Sequence, residues 1–351
     1  MSEQQLEALL AQGTPFIDVR APAEFATGTM PRAINLPLLD DSERHQVGIT
    51  YKQSGAPAAV ALGEKLVSGA VKCERVESWR STASAHQNTW LYCWRGGMRS
   101  EIAQRWLADI GCEVPRITGG FKALRHSCLA VLERAAREKD WLVLAGRTGS
   151  GKTVVIGELY DSIDLEGLAN HRGSAFGAQS RGQPPQVSFE NSLAVKFLQL
   201  PGERLVLEDE SRSIGRLALP AAWHQRMQIA PLVVLERPLI ERVDNIRREY
   251  VDEPLVAGTA PADLHDRYRA ALDRIRKRLG GTRHREVAES LATGFETGDH
   301  EHWIELLLTW YYDPMYDYQL EQKQKRVIGR GGIDEVRDFL REKESPRPGG
   351  S

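Results

Sequence analysis

The sequence has no run of apolar residues approaching the roughly 18–20 that a membrane-spanning helix needs. Its first residues, 1–12, contain acids and lack the basic-then-apolar pattern of a secretory signal. We therefore expect no membrane partner and a cytoplasmic location.

Cysteine is scarce, and none of the four residues forms a CxxC pair, which argues against a zinc ribbon. In a reducing compartment all four should be free thiols. Cys73, Cys112 and Cys128 have the character of packing residues. Cys93 differs, because glycines and arginines surround it.

Nothing in the composition is extreme: 41% of the 351 residues are hydrophobic and 27% are charged. These values exclude a disordered chain and a coiled coil, and the length suggests two domains. The net charge of −2 conceals a strong polarity along the chain. Residues 267–285 carry a local net charge of +7, whereas residues 286–322 contain nine acids and neither Lys nor Arg.

Short strand candidates alternate with helix candidates, which indicates an α/β fold with parallel sheets. In the first part, strands are predicted at 15–19, 90–92 and 114–118, a helix at 100–110, and a connecting helix at 127–139. In the second part, strands are predicted at 141–145, 204–207 and 232–235, and helices at 153–160, 263–279 and 302–312. The Pro- and Gly-rich tail, from residue 345, is predicted to be disordered.

The segment L91-Y-C-W-R-G-G-M-R-S100 ends a predicted strand and opens a helix. Gly96 and Gly97 allow successive backbone N–H groups to turn inward and bind an anion at a helix N-terminus. Arg95 and Arg99 add guanidinium groups suited to phosphate-like oxygens. This field favours the thiolate form of Cys93, which we predict to be the nucleophile.

A second anion site is predicted at G146-R-T-G-S-G-K-T153, which satisfies the phosphate-loop pattern between a strand and a helix. In this pattern backbone N–H groups hold a diphosphate, the lysine supplies a charge and the final hydroxyl can hold Mg²⁺. The residues concerned are Gly146, Gly149, Gly151, Lys152 and Thr153.

Glu208, Asp209 and Glu210 follow the predicted strand 204–207 and include the candidates for a second magnesium ligand. Glu208 and Asp209 are preferred, although the sequence does not show which acid points inward. The guanine-reading pattern N/T-K-x-D is missing from the sequence, which disfavours a GTPase. The phosphate loop specifies a diphosphate and does not by itself distinguish ATP from another diphosphate.

The helix predicted at 263–279 combines an apolar face with six basic residues on the remaining arc. A solvated basic face and a nucleic-acid-binding face are both open interpretations, and the near absence of acids favours a phosphate backbone. Arg242, Arg247 and Arg248 are expected to extend this patch. The tRNA-binding candidates are His171, Arg172, Arg247, Arg248, Arg267, Arg274, Lys277 and Arg278.

Residues 310–318 contain five aromatic residues, a Met and a Pro. Core packing is the simplest interpretation of this segment, and a base-stacking platform or an apolar pocket is the alternative.

F16-I-D-V-R-A-P-A-E-F25, G28-T-M-P-R-A-I-N-L-P37 and the Cys93 loop together resemble a rhodanese domain. In that family the loop cysteine carries a transferable chalcogen. The loop departs from the common sulfurtransferase form, because C93-x5-R99 replaces C-x4-R and resembles related phosphatases. A phosphatase activity therefore stays open. Asp18 and Arg20 are predicted to form an internal ion pair.

The pairing of this domain with a phosphate-loop domain resembles the tRNA 2-selenouridine synthase family. The resemblance also rests on four further segments: L165-E-G-L-A-N-H-R-G-S-A-F-G177, P185-Q-V-S-F-E-N191, L207-E-D-E-S-R212 and Y311-Y-D-P-M-Y316. The resemblance implies a rhodanese-like domain at 1–128, a connecting helix at 129–140, a P-loop NTPase-like parallel-sheet domain at 141–345, and a tail at 346–351.

The resemblance further implies that selenium replaces sulfur at the wobble 2-thiouridine of tRNA. Selenophosphate would donate the selenium, and geranyl diphosphate would form an S-geranyl intermediate. No tightly bound cofactor is expected, Mg²⁺ is a candidate ion, and selenophosphate synthetase is the expected supplier of selenophosphate. Two alternatives stay open: an ATP-dependent tRNA sulfurtransferase using a Cys93 persulfide, and a phosphatase fused to a kinase.

Overall fold

The computed structural model describes residues 1–342, so the predicted tail at 346–351 lies outside the described residues. The chain divides into two compact units. The first unit contains Met1–Arg134 and Pro184–Gln199, and the second contains Ala135–Gln183 and the chain from Leu200 onward. The first unit therefore includes a segment, 184–199, that the sequence analysis had placed in the second domain.

The strands of the described chain are β1 Phe16–Asp18, β2 Ala33–Asn35, β3 Trp90–Tyr92, β4 Asp140–Gly146, β5 Ser162–Ile163, β6 Arg204–Glu208, β7 Ser213–Ile214, β8 Leu217–Ala218, β9 Leu232–Leu235 and β10 Val327–Gly331. The α-helices are α1 Glu3–Ala11, α2 Pro22–Ala26, α3 Asp41–Leu66, α4 Gly69–Ala85, α5 Met98–Ala108, α6 Gly120–Glu138, α7 Lys152–Glu158, α8 Leu165–Ala169, α9 Gln186–Gln199, α10 Ala221–Met227, α11 Leu239–Ile246, α12 Glu253–Val256, α13 Pro261–Leu279, α14 Gly281–Thr297, α15 Glu301–Leu307, α16 Asp313–Lys323 and α17 Ile333–Glu342. Two π-helical turns, Arg247–Asp252 and Leu308–Tyr312, and a 3₁₀ turn, Gln324–Arg326, complete the helical elements.

The first unit is built on a parallel sheet with the strand order β2-β1-β3. Because β1 and β3 run in the same direction, the residues after Asp18 and after Tyr92 leave the sheet at one edge. Asp18 and Arg20 form the predicted internal ion pair there, with 2.6 Å between Nη2 and Oδ2 and neither side chain exposed. This pair fixes the edge from which the Cys93 loop departs.

The segment that contains α9 belongs to the first unit because its polar side chains satisfy groups of that unit. The Oγ atom of Ser188 accepts the backbone N–H of Thr29 at 3.0 Å. Asn191 donates to the carbonyl of Thr29 at 2.8 Å and accepts from Arg125 at 2.9 Å. The sequence motif at 185–191 therefore has a structural role in the first unit.

The second unit contains a parallel sheet with the order β10-β9-β4-β6-β5. The strand β4 lies in the middle of this sheet and is buried from Trp141 to Gly146, so the phosphate loop leaves the sheet at its centre. A separate apolar core joins α11, α13, α14 and α15. The predicted apolar face of α13 is confirmed, because Leu264, Tyr268, Leu272, Ile275 and Leu279 are all buried.

Three predicted elements differ from the structure. Residues 114–118 form only a single bridge, between Leu91 and Arg116, instead of a strand. The helix predicted to connect the domains from residue 127 begins at Gly120 and is continuous to Glu138. The helix predicted at 302–312 is α-helical only to Leu307 and widens into a π-turn over the aromatic residues that follow.

Candidate active site

The Cys93 loop occupies residues 93–97 between β3 and α5. The thiol is nearly inaccessible, with 3% of the residue exposed, and lies 3.3 Å from the Oγ atom of Ser100. The Ser100 hydroxyl in turn donates to the carbonyl of Gly97 at 2.8 Å. A hydroxyl in this position can donate instead to the sulfur once Cys93 is ionised. Ser100 is a site residue that the sequence analysis missed, although it directly follows Arg99.

Backbone geometry explains the two glycines of this loop differently. Gly96 has a φ of 65°, and a Cβ atom there would lie 2.5 Å from the carbonyl oxygen of Ile117. Gly97, at the N-cap of α5, has open space around the position of a Cβ atom. Among the described residues, none accepts a hydrogen bond from the backbone N–H groups of residues 94–97. These donors lie at a helix N-terminus, which is the geometry expected of an anion site.

The two arginines of the loop are placed differently. Arg99 donates to both carboxylate oxygens of Glu24, at 2.5 and 3.1 Å. Burial raises the pKa of Glu24, but the hydrogen bonds and charge of Arg99 outweigh it and hold this pKa below its ordinary value. Arg95 is exposed and has no ion-pair partner in the described part of the chain. Arg95 is therefore available to an incoming anion, whereas Arg99 is held in place by Glu24.

Of the three cysteines predicted to be packing residues, Cys128 is buried and Cys112 is half-buried, whereas Cys73 is exposed, so the prediction is wrong for Cys73. All four are free thiols. Burial raises the pKa of Cys128 to about 12, so it stays protonated at neutral pH.

The phosphate loop begins at Gly146, the last residue of β4, and ends at Lys152, the first residue of α7. Lys152 donates from Nζ to the carbonyl of Gly146 at 2.8 Å and thus lies over the loop. Gly149 and Gly151 have φ values of 79° and 87°. A Cβ atom on Gly149 would lie 2.8 Å from the carbonyl oxygen of Arg242, so the loop requires glycine there. The Thr153 residue is exposed.

The expectation that Arg242 belongs to a surface basic patch is wrong. Arg242 is 2% exposed, donates to the carbonyl of Thr148 at 3.2 Å and forms an ion pair with Asp313 at 2.7 Å. The neighbouring Asn245 donates to the carbonyl of Gly149 at 2.9 Å. These residues of α11 therefore brace the phosphate loop, and the P-loop pattern itself does not reveal them.

The three acids after β6 have different environments. Glu208 is fully buried and accepts the backbone N–H of Leu165 at 3.1 Å, and burial raises its pKa well above the ordinary value. Asp209 forms an ion pair with Lys323, with 2.6 Å between Nζ and Oδ2. Glu210 forms a hydrogen bond with Glu166, and the nearby charge of Lys152 lowers the pKa of Glu210. Burial, reinforced by Glu166, raises the pKa of Glu210 to about 8.

The charge of Lys152 thus acts on Glu210, while the preferred Glu208 and Asp209 bind the N–H of Leu165 and the ammonium group of Lys323. Residues 1–342 contain no group of three metal-ligating side chains. A magnesium ion here would thus depend on oxygens of the bound diphosphate, as is common for Mg²⁺.

The loop of residues 164–177 contains His171 and Arg172. Burial and the charge of Arg274 lower the pKa of His171, whose imidazole is half-buried. Arg172 stacks over the ring of Tyr250 at 4.8 Å and lies 3.3 Å from Glu253. These contacts hold the side chain of Arg172 at the loop, whereas the buried Nδ1 atom of His171 has no hydrogen-bond partner among the described residues.

The basic candidates divide into paired and unpaired groups. Arg247 is held by Asp244 and Asp252, and Arg248 donates to Asn245. Arg267 is half-buried, and Arg274 donates to the carbonyl of Ala175 at 3.2 Å. Within residues 1–342, Arg276, Lys277 and Arg278 are exposed at the end of α13 without an ion-pair partner. The exposed basic surface is therefore concentrated there.

The aromatic segment at residues 310–318 contributes side chains both to the hydrophobic core and to the surface. Tyr311 and Tyr312 are buried, whereas Tyr318 is 67% exposed. Tyr312 also lines a narrow cavity of about 20 Å³ next to Thr148 of the phosphate loop. Its other walls are mainly aromatic and aliphatic, with Ser174 as a further polar residue. The space holds little more than one water, so a larger apolar ligand would require side chains to move.

Comparisons with known proteins agree with this arrangement. Residues 139–347 match the model of the tRNA 2-selenouridine synthase AAA domain, and residues 2–127 match the rhodanese-like domain. A tRNA 2-selenouridine synthase of Marinobacter nauticus is 44% identical, over 96% of both chains. The chain belongs to the tRNA 2-selenouridine synthase family. Synthases of this family from Cupriavidus pinatubonensis and Bordetella bronchiseptica are 47% and 46% identical, each over 96% of this chain and 97% of the relative.

The family pairs an α/β rhodanese domain with an α/β phosphate-loop domain, as the sequence analysis predicted. None of the helices in residues 1–342 is both long and apolar enough to cross a membrane.

Proposed function

We propose that this chain replaces the sulfur of 2-thiouridine at the wobble position of tRNA with selenium, through an S-geranyl intermediate. The observation that carries the proposal is that two loops with the geometry to bind anions, one at Cys93 and one at Lys152, each precede a helix in a chain of this family. Because its proposed substrate is tRNA, we expect the enzyme to act in the cytoplasm. Each site would perform one of two steps.

In the first step the phosphate loop would bind geranyl diphosphate. The thione sulfur forms a bond to C1 of the geranyl group, the C1–O bond breaks, and diphosphate leaves with the electron pair, while N3 of the base loses its proton to solvent. Lys152 and the loop N–H groups stabilise the charge that grows on the leaving diphosphate. Magnesium, when bound, would neutralise part of the same charge, with Thr153 and Glu210 as candidate ligands.

Alkylation makes the second step feasible because a thione sulfur is a poor leaving group, whereas an S-geranyl group leaves as a thiol. Selenium forms a bond to C2 of the base, the C2–S bond breaks, and sulfur leaves with the electron pair and gains a proton. Neither carbon nor selenium changes its oxidation state overall, provided that selenium arrives as selenide.

The Cys93 loop would supply this selenide from selenophosphate. Attack of the thiolate on selenium would require phosphorus to be reduced, whereas attack on phosphorus requires no redox partner. We therefore assign Cys93 attack on phosphorus: the S–P bond forms, the P–Se bond breaks, and selenium departs with the electron pair as hydrogen selenide. Water then hydrolyses the phosphocysteine to phosphate. The C-x5-R spacing of Cys93 and Arg99, and the N–H groups of residues 94–97 that have no acceptor among the described residues, suit a phosphoryl group.

The substrate tRNA would bind through the exposed basic end of α13. Arg276, Lys277 and Arg278 provide charges that are not neutralised by nearby acids. Selenophosphate is formed from selenide and a phosphoryl donor, so an enzyme of that class, selenophosphate synthetase, must precede this one.

A second candidate is the ATP-dependent tRNA sulfurtransferase. It is favoured by one observation: a cavity of about 570 Å³ beside Arg147 of the phosphate loop is lined by polar groups, among them Glu236, Arg237 and Asp317. Such a lining suits a nucleoside better than a prenyl chain.

The experiment that separates the two uses the purified protein and tRNA containing 2-thiouridine, followed by mass spectrometry of the nucleosides. With geranyl diphosphate and no ATP, we expect S-geranyl-2-thiouridine, and 2-selenouridine after selenophosphate is added. A strict requirement for ATP, with geranyl diphosphate dispensable, would establish the sulfurtransferase instead.

A further inference from the structure

The first unit contains an apolar cavity of about 250 Å³ that the two steps above leave without a role. It lies between α3 and α5, with Val47, Ala59 and Val67 on one side and Ile102 and Trp106 on the other. Glu64 and Arg99 are the charged residues of its lining. The cavity therefore offers an apolar ligand an almost purely apolar surface.

The path of α3 explains why the chain leaves this space unfilled. Gly55 interrupts the helix with a φ of 80° and a ψ of −178°, and Pro57 follows within the same element. The two halves of α3 consequently bend around the cavity. On the second half, a Cβ atom at Gly63 would meet only the Cγ2 atom of Val47, at 3.8 Å. Protein interiors are normally packed without voids of this size, so a retained apolar cavity indicates a ligand site.

The cavity is open to solvent at a rim that is itself apolar. Tyr51 and Met98, which both line it, are 60% and 49% exposed. Exposed apolar side chains that converge on a pocket are typical of binding sites for apolar groups.

The cavity adjoins the Cys93 loop. Met98 and Arg99, the first two residues of α5, line the cavity directly after the glycines of that loop. Cys93 belongs to the same hydrophobic cluster as Leu38, Val67 and Trp106, which form the cavity wall. A ligand in the cavity is therefore held beside the anion site.

We infer that this cavity binds the geranyl chain of the S-geranyl base while selenium enters, and then the same chain on the departing geranylthiol. This inference rests on the proposed function. The cavity belongs to the unit that contains Cys93, so its occupant is the prenyl group already carried by the base, not the prenyl diphosphate. Its volume exceeds that of an engineered cavity of about 150 Å³ that admits benzene, and thus suits a branched ten-carbon chain entering from the open rim.

Gly63→Leu tests the inference because it places four carbons in the cavity at a helical position with room for a Cβ atom. The matched control is Gly48→Leu on the same helix, where nothing lies within 4 Å of the position of a Cβ atom. Both variants receive selenophosphate and either of two RNAs, one with S-geranyl-2-thiouridine and one with S-methyl-2-thiouridine. Formation of 2-selenouridine is followed by mass spectrometry.

We expect Gly63→Leu to convert the S-geranyl RNA at least tenfold more slowly than Gly48→Leu and the wild type, and the S-methyl RNA at a similar rate. Equal rates for all three proteins on the S-geranyl RNA would overturn the inference. If Gly63→Leu loses both activities, Ala56→Leu replaces it, and binding of geranylthiol to the wild-type protein is measured by calorimetry. Absence of that binding would also overturn the inference. Failure of the wild type on the S-geranyl RNA would instead disprove the proposed function.

Discussion

The Sγ atom of Cys93 and the Oγ atom of Ser100 lie 3.3 Å apart, and neither residue is more than 3% exposed. A buried thiolate needs a donor in place of water, and the Ser100 hydroxyl is positioned to provide it. Ser100 would stabilise the sulfur both as attacking nucleophile and as leaving group of the phosphocysteine. Ser100 would thus act on the reaction through its hydrogen bond to Cys93 and without contacting the substrate.

Ser100→Ala should lower the rate of selenium incorporation by about 10–100-fold, the value of one hydrogen bond to a charged group. Geranylation should be unaffected. Because hydrolysis of the phosphocysteine would slow as well, mass spectrometry of the protein after mixing with selenophosphate should show phosphate on Cys93. Ser100→Thr keeps the hydroxyl and should retain more activity. Normal incorporation by Ser100→Ala would exclude this role.

Cys93→Ser should abolish selenium incorporation and leave alkylation intact, because the thiol and the phosphate loop belong to different units. The tRNA from cells with this variant should accumulate S-geranyl-2-thiouridine, measured by nucleoside mass spectrometry. Cys128→Ser, at a buried thiol outside the loop, controls for a loss of packing. Loss of geranylation in a folded Cys93→Ser protein would contradict the division of labour.

The basic end of α13 provides a third test. Lys277→Glu together with Arg278→Glu should weaken tRNA binding and flatten its dependence on salt, because fewer phosphate contacts release fewer counterions. Stability should hardly change, since neither side chain has an ion-pair partner among the described residues. Arg80→Glu with Arg105→Glu makes the same change in charge on exposed residues of the first unit. Unchanged affinity at low salt would show that the α13 face is only solvated.

The raised pKa of Glu210 predicts that the stability of the protein and its binding of diphosphate depend on pH. Its pKa of about 8 lies above the ordinary value of 4.5, so the folded protein binds the proton more tightly than the unfolded chain. Stability should therefore fall as the pH rises from about 4.5 to about 8, and Glu210→Gln should reduce this slope. Binding of inorganic diphosphate without magnesium should weaken over pH 7–9 in the wild type but less in the variant. Calorimetry measures both, and identical pH profiles would show that Glu210 does not face the diphosphate.

Both anion loops could be predicted from the sequence because each is encoded by consecutive residues whose backbone geometry depends on local glycines. The buried face of α13 was likewise evident from its helical spacing. The partners of these loops were not evident, since Glu24, Arg242 and Asn245 come from distant segments that the fold brings to them. Residues 114–118 were mistaken for a strand because the β-branched residues Val114, Ile117 and Thr118 do not show whether a neighbouring strand pairs with them.

The cavity beside Cys93 could not be predicted, because an unfilled volume is a property of packing and not of any motif. The residues associated with the cavity are Gly55, Pro57 and Gly63. In the sequence alone they resemble ordinary helix breakers in a surface helix. Only the three-dimensional arrangement shows that they leave space next to α5.

Lys152 decides what the phosphate loop binds. If it holds geranyl diphosphate, Lys152→Ala should slow alkylation by about 10²–10³-fold, because the departing diphosphate loses a cation as its charge grows. The same variant should still convert tRNA that already carries S-geranyl-2-thiouridine, since the Cys93 step does not use this loop, and neither step should need ATP. Lys139→Ala is the control for charge, because that lysine donates to the carbonyls of Leu200 and Gly202 away from the loop. If Lys152→Ala also fails on pre-geranylated tRNA, the phosphate loop must help to position the RNA. That result would join the loop functionally to the basic end of α13, which belongs to the same unit.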